Sequence, residues 1–387
     1  MSIRNIAVFT GSRSEYGLLS QVVKSIFLEP SLEVSLIVSG SHFLDEYGKT
    51  VWEIDKSCVN RIKKIAFNAN INDKEIETLL FFSNLVSRGA NVLTELRPDI
   101  IVLAGDRYET FAMATTAFYL NIPIAHIFGG DLSLGGHFDD SVRHSITKLS
   151  HLHFATNDDS YKRILSLGEE PWRVFNVGST AIDNILSSDC LAPKEIANEF
   201  NVDLAKPIIV FTQHPITTEA DLSYSQTKES LEALNELSYQ TIITYPSNDF
   251  GSDGVIKAIE EFSNNPNFRI RKSLGWKSYL GLLKVASVVV GNSSSGIIET
   301  PILKLPCVDI GTRQLGRLRS ENVIDTPNKK EEIKKAIKKA INDKKFVERV
   351  KNCSNPYGEG GASKQITNIL KSISLHKSLL QKKMTFC

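Results

Sequence analysis

Short apolar runs, each ended by glycine or polar residues and followed by a helical pattern, recur along the whole chain. In the first half they occupy residues 5–10, 32–39, 99–103 and 122–127, and in the second half 207–212, 241–246, 287–291 and 307–311. Strands that alternate with helices form a parallel sheet with helices on both faces, and such sheets bind ligands at the carboxyl ends of their strands. This alternation predicts an α/β fold.

Chain length sets the number of domains. The 387 residues exceed what one ordinary core holds and suit two domains. A looser stretch at residues 189–206 separates the two series of strands. We predict a first domain over residues 1–188, a second over 189–365 and a C-terminal helix or tail over 366–387. The expected architecture is two Rossmann-like doubly wound domains facing each other across a cleft, an arrangement that is called GT-B-like.

Amino-acid composition indicates which partners and which cellular compartment the protein has. Lysine and arginine number 45 against 44 aspartates and glutamates, so no strong field attracts nucleic acid or a membrane surface. The five cysteines show no CxxC and no Cys/His ligand spacing, which indicates a reducing compartment and no structural metal. The N-terminus enters a strand at once, without a signal-peptide pattern, and no apolar run approaches the length of a membrane span. We therefore expect a cytoplasmic protein.

Residues 287–319 carry the clearest ligand-binding pattern. A β-branched strand ends in the small-residue turn GNSSSG at 291–296, where hydroxyl and backbone N–H donors favour a phosphate. Glu299 would follow about one helical turn into the next helix, where it could accept hydrogen bonds from ribose hydroxyls. A second strand then delivers Arg313. A Ser/Gly turn after a strand is also an ordinary helix cap, but the arginine after the second strand favours a nucleotide diphosphate.

Acidic residues of the first half follow predicted strand ends. Asp106 comes after the strand at 99–103 and Asp131 after the strand at 122–127, while Asp139 and Asp140 begin a helix. Carboxylates gathered in a partly desolvated cleft have separated pKa values and suit general acid and base roles. Arg143, three residues after Asp140, offers a plainer explanation, a local ion pair.

Two basic positions are singled out by location alone. The first turn, GSRSEYG at residues 11–17, lacks the GxGxxG pattern, so a dinucleotide cofactor is not expected. Arg13 in that turn could bind a phosphate or pair with surface carboxylates. His214 stands at the end of the first strand of the second half, where it could donate to a phosphate or assist a leaving group. A lone histidine is more often structural.

Together these motifs resemble the hydrolysing UDP-N-acetylglucosamine 2-epimerases. They are, in chain order, GSRSEYG at 11, GDRYE at 105, DDSVRHSITKLSHLH at 139, QHP at 213, GNSSSGIIE at 291 and GTRQ at 311. The similarity extends over nearly the whole chain, and the combination of DDxxRH with GNSS is specific. The resemblance implies a UDP-sugar substrate, no cofactor and a homo-oligomer, since relatives commonly form dimers or tetramers. Such enzymes supply N-acetylmannosamine, or a related sugar, for sialic or legionaminic acid.

The resemblance also implies roles for individual residues, with the sugar on the first domain and UDP on the second. The implied catalytic residues are Asp106, Asp131, His214 and one of the pair Asp139 and Asp140. The binding set comprises Arg13, Arg107, Arg143, His144, Ser247, Leu274, Asn292, Ser293, Ser294, Ser295, Gly296, Glu299 and Arg313. In the family pattern, arginines and serines of this set contact the diphosphate and the glutamate contacts the ribose.

Two positions depart from the family pattern. Phe128 stands where some relatives have glutamate, and because phenylalanine cannot move a proton, Asp131 is the predicted substitute. Ser247 stands where relatives commonly have asparagine. The loop over residues 132–138, which includes His137, is predicted to face the sugar.

The predicted reaction is an elimination followed by hydration, which releases UDP and N-acetylmannosamine. UDP-N,N'-diacetylbacillosamine is an alternative substrate, because no residue in the sequence distinguishes the two sugars. A non-hydrolysing epimerase, a GT-B glycosyltransferase and a non-catalytic sugar-nucleotide sensor stay open as alternative functions.

Overall fold

The computed structural model describes residues 3–44, 50–66, 74–133, 139–187, 190–246 and 249–385. The strands in these ranges are β1 (Arg4–Thr10), β2 (Leu32–Val38), β3 (Arg61–Lys64), β4 (Ile100–Ala104), β5 (Ile124–Ile127), β6 (Leu152–Ala155), β7 (Val174–Asn176), β8 (Ile208–Thr212), β9 (Gln240–Thr244), β10 (Phe268–Arg271), β11 (Val288–Gly291), β12 (Cys307–Ile310) and β13 (Val323–Thr326). The helices are α1 (Arg13–Phe27), α2 (Lys74–Leu96), α3 (Tyr108–Tyr119), α4 (Asp139–Leu149), α5 (Asp158–Ser166), α6 (Thr180–Leu186), α7 (Pro193–Phe200), α8 (Ser223–Leu237), α9 (Ser252–Glu261), α10 (Trp276–Val285), α11 (Ser295–Ile298), α12 (Lys330–Asn342), α13 (Lys344–Lys351), α14 (Ala362–Ser372) and α15 (Lys377–Leu380).

The first sheet is parallel, with the strand order β3-β2-β1-β4-β5-β6-β7. β1 pairs with β2 from Arg4–Leu32 to Thr10–Val38, and its other edge pairs with β4. The chain thus winds outward from β1 in one direction and from β4 in the other. In such a doubly wound sheet, the loops on either side of the switch point, here between β1 and β4, diverge and leave a crevice for a ligand.

The second sheet repeats this topology, with the strand order β10-β9-β8-β11-β12-β13 and the switch point between β8 and β11. β11 pairs in parallel with β8, so that Gly291 lies beside Thr212 at the carboxyl edge. The predicted fold class, α/β with two Rossmann-like doubly wound domains, is confirmed.

Each sheet is buried on both faces because its central strands are continuously apolar. In β1, Ile6 and Val8 pack into one core with α1 and α14, whereas Ala7 and Phe9 pack into the core on the other face. β8 divides its side chains between two cores in the same way. Full burial of a large apolar side chain contributes about 1.5–3 kcal/mol. This packing fixes the strand ends, and the candidate site residues follow those ends.

Contacts divide the chain into two compact units. The first comprises Met1–Asp131, Phe138–Asn184 and Tyr357–Cys387, and the second comprises Leu132–His137 and Ile185–Pro356. The C-terminal residues therefore pack with the first unit, although they follow the second in the sequence. The predicted domains, 1–188, 189–365 and 366–387, stay a prediction, because a compact unit in a structure does not show which segments fold on their own.

Each of the eight predicted runs corresponds to an observed strand with bounds within two residues of it, whereas β3, β6, β7, β10 and β13 match none of these runs. β1 and β11, for example, differ by one residue at their start from the predicted runs at 5–10 and 287–291. None of the helices in the described ranges combines enough length with enough apolar residues to cross a membrane.

Candidate active site

Three acidic residues of the first unit accept hydrogen bonds from one arginine side chain, that of Arg143 in α4. Its Nη1 donates to Asp140 Oδ1 and to the carbonyl oxygen of Asp131, both at 2.6 Å, and its Nη2 donates to Asp106 Oδ2. Arg143 is only 2% exposed, whereas the side chains of Asp106 and Asp140 are 24% and 25% exposed. Three acidic residues are thus gathered around a buried positive charge. We call Asp106, Asp131, Asp140 and Arg143 the acidic cluster.

Sheet topology explains why these residues lie together. Asp106 follows β4 and Asp131 follows β5, and the two strands are neighbours in the sheet. Carboxyl ends of neighbouring parallel strands share one edge. Asp139 and Asp140 occupy the first turn of α4, where negative charge is favoured by the helix dipole. Arg143 therefore makes the local ion pair with Asp140 and, at the same time, the longer-range contacts with the strand ends.

Asp131 is the least exposed of the three acids, at 7%. Its Oδ1 accepts hydrogen bonds from Thr156 Oγ1 and Ser160 Oγ, both at 2.6 Å. Hydrogen bonds to a buried carboxylate offset the cost of removing its charge from water. No sequence motif points to the two hydroxyls, because β6, which Thr156 directly follows, is a four-residue strand with no distinctive pattern.

Histidines beside the acidic cluster are neutral. Burial lowers the pKa of His126 to about 3, and its Nε2 donates to the carbonyl oxygen of Gly105 at 2.8 Å. Burial, and to a lesser extent the charge of Arg143, also lowers the pKa of His144. An imidazole that stays neutral above its lowered pKa is a poor proton donor near pH 7. The carboxylates are therefore the better candidates for proton transfer in this unit.

Phe128 occupies a strained backbone position at the end of β5. Its φ angle is 67°, in the left-handed region that bulky residues rarely adopt. The side chain is 6% exposed and belongs to the apolar core of the first unit. Where some relatives carry a glutamate, this chain therefore has a packing residue that cannot take part in proton transfer.

A second charged group, absent from the sequence prediction, lies beside the end of β1. Glu15 accepts hydrogen bonds from the backbone N–H of Gly11 and from Thr110 Oγ1, both at 2.6 Å. Burial, followed by the charge of Glu109, raises the pKa of Glu15 to about 7. Glu109 is itself fully buried and accepts from Arg107 Nε at 3.1 Å. Arg107, which the resemblance assigns to substrate binding, thus binds an acid two residues further along the GDRYE motif.

In the second unit, glycines shape the turn at residues 291–296, which we call the serine turn. A Cβ on Gly291 would lie 1.9 Å from the carbonyl oxygen of Thr212, so no other residue fits there without a shift of the backbone. A Cβ on Gly296 would lie 2.6 Å from Cys307 Sγ, so this glycine lets the turn pack on β12. The helix expected after the turn is a single turn, α11, and proline at 301 prevents its continuation. Donor groups of the turn, rather than a long helix dipole, would therefore attract an anion.

Asn292 joins the serine turn to the ends of two strands. Its Oδ1 accepts the backbone N–H of His214 at 2.7 Å, and its Nδ2 donates to the carbonyl oxygen of His214 at 2.9 Å. The carbonyl oxygen of Asn292 accepts from Gln314 Nε2 at 2.7 Å and from Arg313 Nη1 at 3.2 Å. One residue, 2% exposed, thus holds two other predicted ligand-binding residues. Gln314 is an addition to the predicted set, although it ends the GTRQ motif.

Glu299, just after α11, is oriented by two hydroxyl groups, those of Ser295 and Tyr279. Ser295 Oγ donates to Glu299 Oε2 and also contacts the hydroxyl of Tyr279, each at 2.5 Å. Because Ser295 gives its proton to the carboxylate, Tyr279 is the donor in the second contact. Burial raises the pKa of Glu299. Tyr279 lies on α10, outside every motif, so the sequence offers no signal for it.

His214 and Arg313 complete the second region. Burial, followed by the charge of Arg313, lowers the pKa of His214 to about 3, so the imidazole is neutral. A neutral imidazole still donates one N–H to a phosphate oxygen. Arg313 Nη2 lies 4.0 Å from Asp249 Oδ2, a loose ion pair whose side chains are 24% and 33% exposed. This arginine can therefore exchange its partner for an anionic ligand.

The remaining predicted binding residues have fewer described contacts. Arg13 is the first residue of α1, Leu274 packs at the edge of an apolar core, and Ser293 and Ser294 are half-buried in the serine turn. Ser247 and the loop residue His137 lie outside the described residues. Within the described ranges, no three His, Cys, Asp or Glu side chains come together in a way that would hold a metal ion. The functional roles of all these residues stay predictions.

Comparison with known proteins decides the family. Residues 24–371 match the model of the UDP-N-acetylglucosamine 2-epimerase family. The chain belongs to this family. The resemblance predicted from the motifs is thereby confirmed, and the match includes both the acidic cluster and the serine turn.

Two curated relatives of this UDP-sugar epimerase family share about a third of their residues with the chain. A "GDP/UDP-N,N'-diacetylbacillosamine 2-epimerase (hydrolyzing)" of Campylobacter jejuni is 36% identical over 84% of this chain and 85% of the relative. The "Polysialic acid biosynthesis protein P7" of Escherichia coli is 33% identical over 97% of this chain and 96% of the relative. A crystal structure of the UDP-GlcNAc 2-epimerase from Neisseria meningitidis superimposes with a TM-score of 0.79, at 21% identity, over 95% of this chain and 99% of that one. The fold is thus shared with the GT-B-like epimerases of the family.

Proposed function

We propose that the protein is a hydrolysing 2-epimerase that converts UDP-N-acetylglucosamine and water into UDP and N-acetylmannosamine, for synthesis of a sialic acid-type sugar. Family membership and the hydrolysing activity in the name of the Campylobacter jejuni relative support the reaction type. The observation that carries the proposal is the acidic cluster, in which Arg143 holds Asp106 and Asp140 partly exposed at the edge of the first sheet. Carboxylates held this way suit transfer of a proton to and from carbon.

The first half of the proposed reaction is an elimination. A carboxylate takes the proton from C2 of the sugar while the bond between C1 and the phosphate oxygen breaks. The electrons of the C1–O bond leave with UDP, and those of the C2–H bond form the C1–C2 double bond of a glycal. Since the C2 proton is weakly acidic, cleavage at C1 must run ahead and build positive charge on the sugar. Asp106 and Asp140, the more exposed acids of the cluster, are our candidates for the base.

The second half is a hydration. A carboxylate removes a proton from water as its oxygen adds to C1, and a carboxylic acid delivers a proton to C2 from the face that gives the manno product. Asp131, with its Oδ1 fixed by Thr156 and Ser160, is the proposed neighbour that takes over the role of the glutamate replaced by Phe128.

Stabilisation of the departing UDP is assigned to the second unit. Donors aimed at the oxygen atoms on which charge develops lower the barrier to bond cleavage. Arg313, the neutral His214 and the hydroxyls of the serine turn are the proposed donors of that unit, while Arg13 of the first unit stays a predicted phosphate-binding residue. Glu299, oriented through Ser295, is proposed to accept hydrogen bonds from the ribose.

A second candidate substrate is UDP-N,N'-diacetylbacillosamine, named for the Campylobacter jejuni relative. Its product would serve legionaminic acid synthesis instead. Both sugars share the 2-acetamido group and the C2 proton, so the mechanism is the same.

Two further proposals accompany either substrate, a cytoplasmic location and a homo-oligomer of two or four subunits. Light scattering of the purified protein would test the oligomer.

The deciding experiment is an NMR time course with each UDP-sugar in deuterated water. We expect free UDP and N-acetylmannosamine that carries deuterium at C2. Turnover of the bacillosamine derivative alone keeps the mechanism and changes the substrate. Deuterium in a sugar that still carries UDP would show a non-hydrolysing epimerase, and a glycoside formed only with an added acceptor would show a glycosyltransferase. Binding of UDP without turnover of either sugar would overturn the proposal in favour of a sensor.

A further inference from the structure

The C-terminal segment, residues 377–385, ends beside helix α4. Lys382 Nζ donates to the carbonyl oxygens of Lys148 at 2.8 Å and Ser150 at 2.6 Å, and it lies 3.4 Å from that of Thr147. Carbonyls in the last turn of a helix have no partner within the helix and carry the negative end of its dipole. One ammonium group thus caps the end of the helix whose first turns carry Asp140 and Arg143.

A buried ion network holds the Lys382 side chain in place. Glu169 is 1% exposed, and its Oε2 accepts from Lys382 Nζ at 2.7 Å and contacts His153 Nε2 at 3.1 Å. Its Oε1 accepts from Lys148 Nζ at 2.6 Å. Lys148 lies in the last turn of α4, so Glu169 links the cap to the helix a second time. The carboxylate of Glu169 is thus paired with two ammonium groups, and a buried carboxylate paired in this way fixes the place of its partners.

Backbone contacts hold the segment that carries Lys382. The fully buried guanidinium of Arg173 donates to the carbonyl oxygens of Ser378, Leu379 and Gln381, at 2.7, 2.6 and 3.1 Å. On the other side of Lys382, the N–H of Thr385 donates to the carbonyl oxygen of Gly168 at 3.0 Å. The segment is therefore anchored before and after Lys382, and it is not a loose tail.

On the basis of the proposed epimerase function, we propose that Lys382 is a positioning residue of the reaction, which caps α4 and thereby sets the place of Arg143 and the acids it holds. The helix has eleven residues, so a shift at its end is transmitted to its start. Thr147 makes the connection direct, since its carbonyl oxygen is near Lys382 and its hydroxyl donates to the carbonyl oxygen of Arg143 at 3.0 Å. Misplacement of a catalytic group by about 1 Å can cost up to about a hundredfold in rate.

Because the side chain of Lys382 titrates, a change of pH can test this role. Burial lowers its pKa to about 8 against the opposing effect of Glu169, and the other charged or titratable groups that face it are Lys148, Arg173, His151 and His153. Deprotonation removes one donor and the positive charge from the cap. The cap should therefore weaken as the pH rises through about 8.

The test compares Lys382→Met and Lys382→Arg with Lys383→Met, an exposed neighbour that contacts the protein through its backbone N–H. Rates are referred to the concentration of protein that binds UDP, so that loss of folded material does not count. We expect about a tenfold lower kcat for Lys382→Met with an unchanged KM, recovery to within threefold for Lys382→Arg, and no change for Lys383→Met. The decline of kcat above about pH 8 in the natural protein should be absent from Lys382→Arg.

Hydrogen exchange of the α4 amides provides a readout besides activity, and faster exchange is expected in Lys382→Met. Faster exchange with a kcat within twofold of the natural protein would reduce Lys382 to a structural role and overturn the proposal. Unchanged exchange would overturn it as well, whatever the rate. If the natural protein turns over neither UDP-sugar, the proposed function fails and the catalytic part of this inference fails with it, while exchange still decides whether Lys382 caps the helix.

Discussion

The acidic cluster of the first unit is held by ion pairs, whereas the serine turn of the second unit is held mainly by amides and hydroxyls, with one hydrogen bond from the guanidinium of Arg313. In the first, one buried guanidinium binds two carboxylates and a carbonyl oxygen. In the second, the side chain of Asn292 exchanges two hydrogen bonds with the backbone of His214, and its carbonyl oxygen receives two more. Each region includes residues that follow a strand at the switch point of its sheet, β4 in the first unit and β8 and β11 in the second.

Under the proposed function, this difference lets one topology support two kinds of chemistry. Proton transfer needs groups that change charge, and buried charges keep their geometry only when a counter-charge holds them. Binding of a diphosphate instead needs many donors, which amides, hydroxyls and the guanidinium of Arg313 supply. We therefore expect substitutions in the first region to change kcat and substitutions in the second to change the affinity for UDP.

Arg143→Met gives the largest expected effect. It removes the shared counter-charge and leaves Asp106 and Asp140 facing each other without a cation between them. We expect kcat to fall about a thousandfold, while the dissociation constant for UDP stays within twofold. Steady-state kinetics and calorimetric titration with UDP measure the two quantities.

Ser145→Ala is the matched control for Arg143→Met, because Ser145 lies on the same helix, is exposed and donates only to the carbonyl oxygen of Ser141. It should keep full activity. A loss of UDP affinity as large as the loss of kcat in Arg143→Met would break the division between the two regions.

Asn292→Asp gives an effect of middle size. Aspartate cannot donate to the carbonyl oxygen of His214 and adds a negative charge beside the proposed diphosphate site. An unpaired buried acceptor costs about 1–3 kcal/mol, so the dissociation constant for UDP should rise about tenfold or more. The value of kcat at saturating substrate should change less than threefold.

Asn235→Asp makes the same charge change at an exposed position of the second unit, where the side chain accepts a hydrogen bond from Asn265 that aspartate can also accept. Its affinity for UDP should equal that of the natural protein. Equal affinities for Asn292→Asp and the natural protein would show that the serine turn does not depend on this amide.

Much of this comparison could be predicted from the sequence, because strand ends are marked by local pattern. Asp106, Asp131, Gly291 and Arg313 each follow an apolar run by a few residues, and parallel topology brings such positions to one edge. The length of α11 could not be predicted in this way. The motif GNSSSGIIE reads as the start of a helix, yet Pro301 limits it to one turn.

What pattern cannot predict is which side chain serves as the partner of another. Arg143 was open to two interpretations, and its contact with Asp106 depends on the distance between α4 and the end of β4. Tyr279 and Lys382 act on Ser295 and α4 from elements remote in sequence. Their contacts arise from packing of the whole unit, which carries no local signal.

Asp309→Asn gives the smallest expected effect. It tests an exception to the neutral character of the second unit, a carboxylate buried in the sheet below the predicted ligand-binding edge. Asp309 lies in β12, is 1% exposed and accepts from Arg319 Nη2 at 3.0 Å. Burial raises its pKa to about 7 in spite of Arg319. The folded protein therefore keeps this proton at a pH where the unfolded chain has lost it, so stability falls as the pH rises from about 4 to about 7.

Between about pH 5 and about pH 8, we expect the Tm of the natural protein to fall by about 2–4 °C more than the Tm of Asp309→Asn. Scanning calorimetry measures both values. Asp203→Asn is the matched control, because Asp203 pairs with Lys206 in the same unit but its side chain is 50% exposed. It should keep the pH dependence of the natural protein. If Asp309→Asn and Asp203→Asn give the same pH profile, the buried carboxylate of Asp309 does not determine how the stability depends on pH, and the second unit then needs no exception.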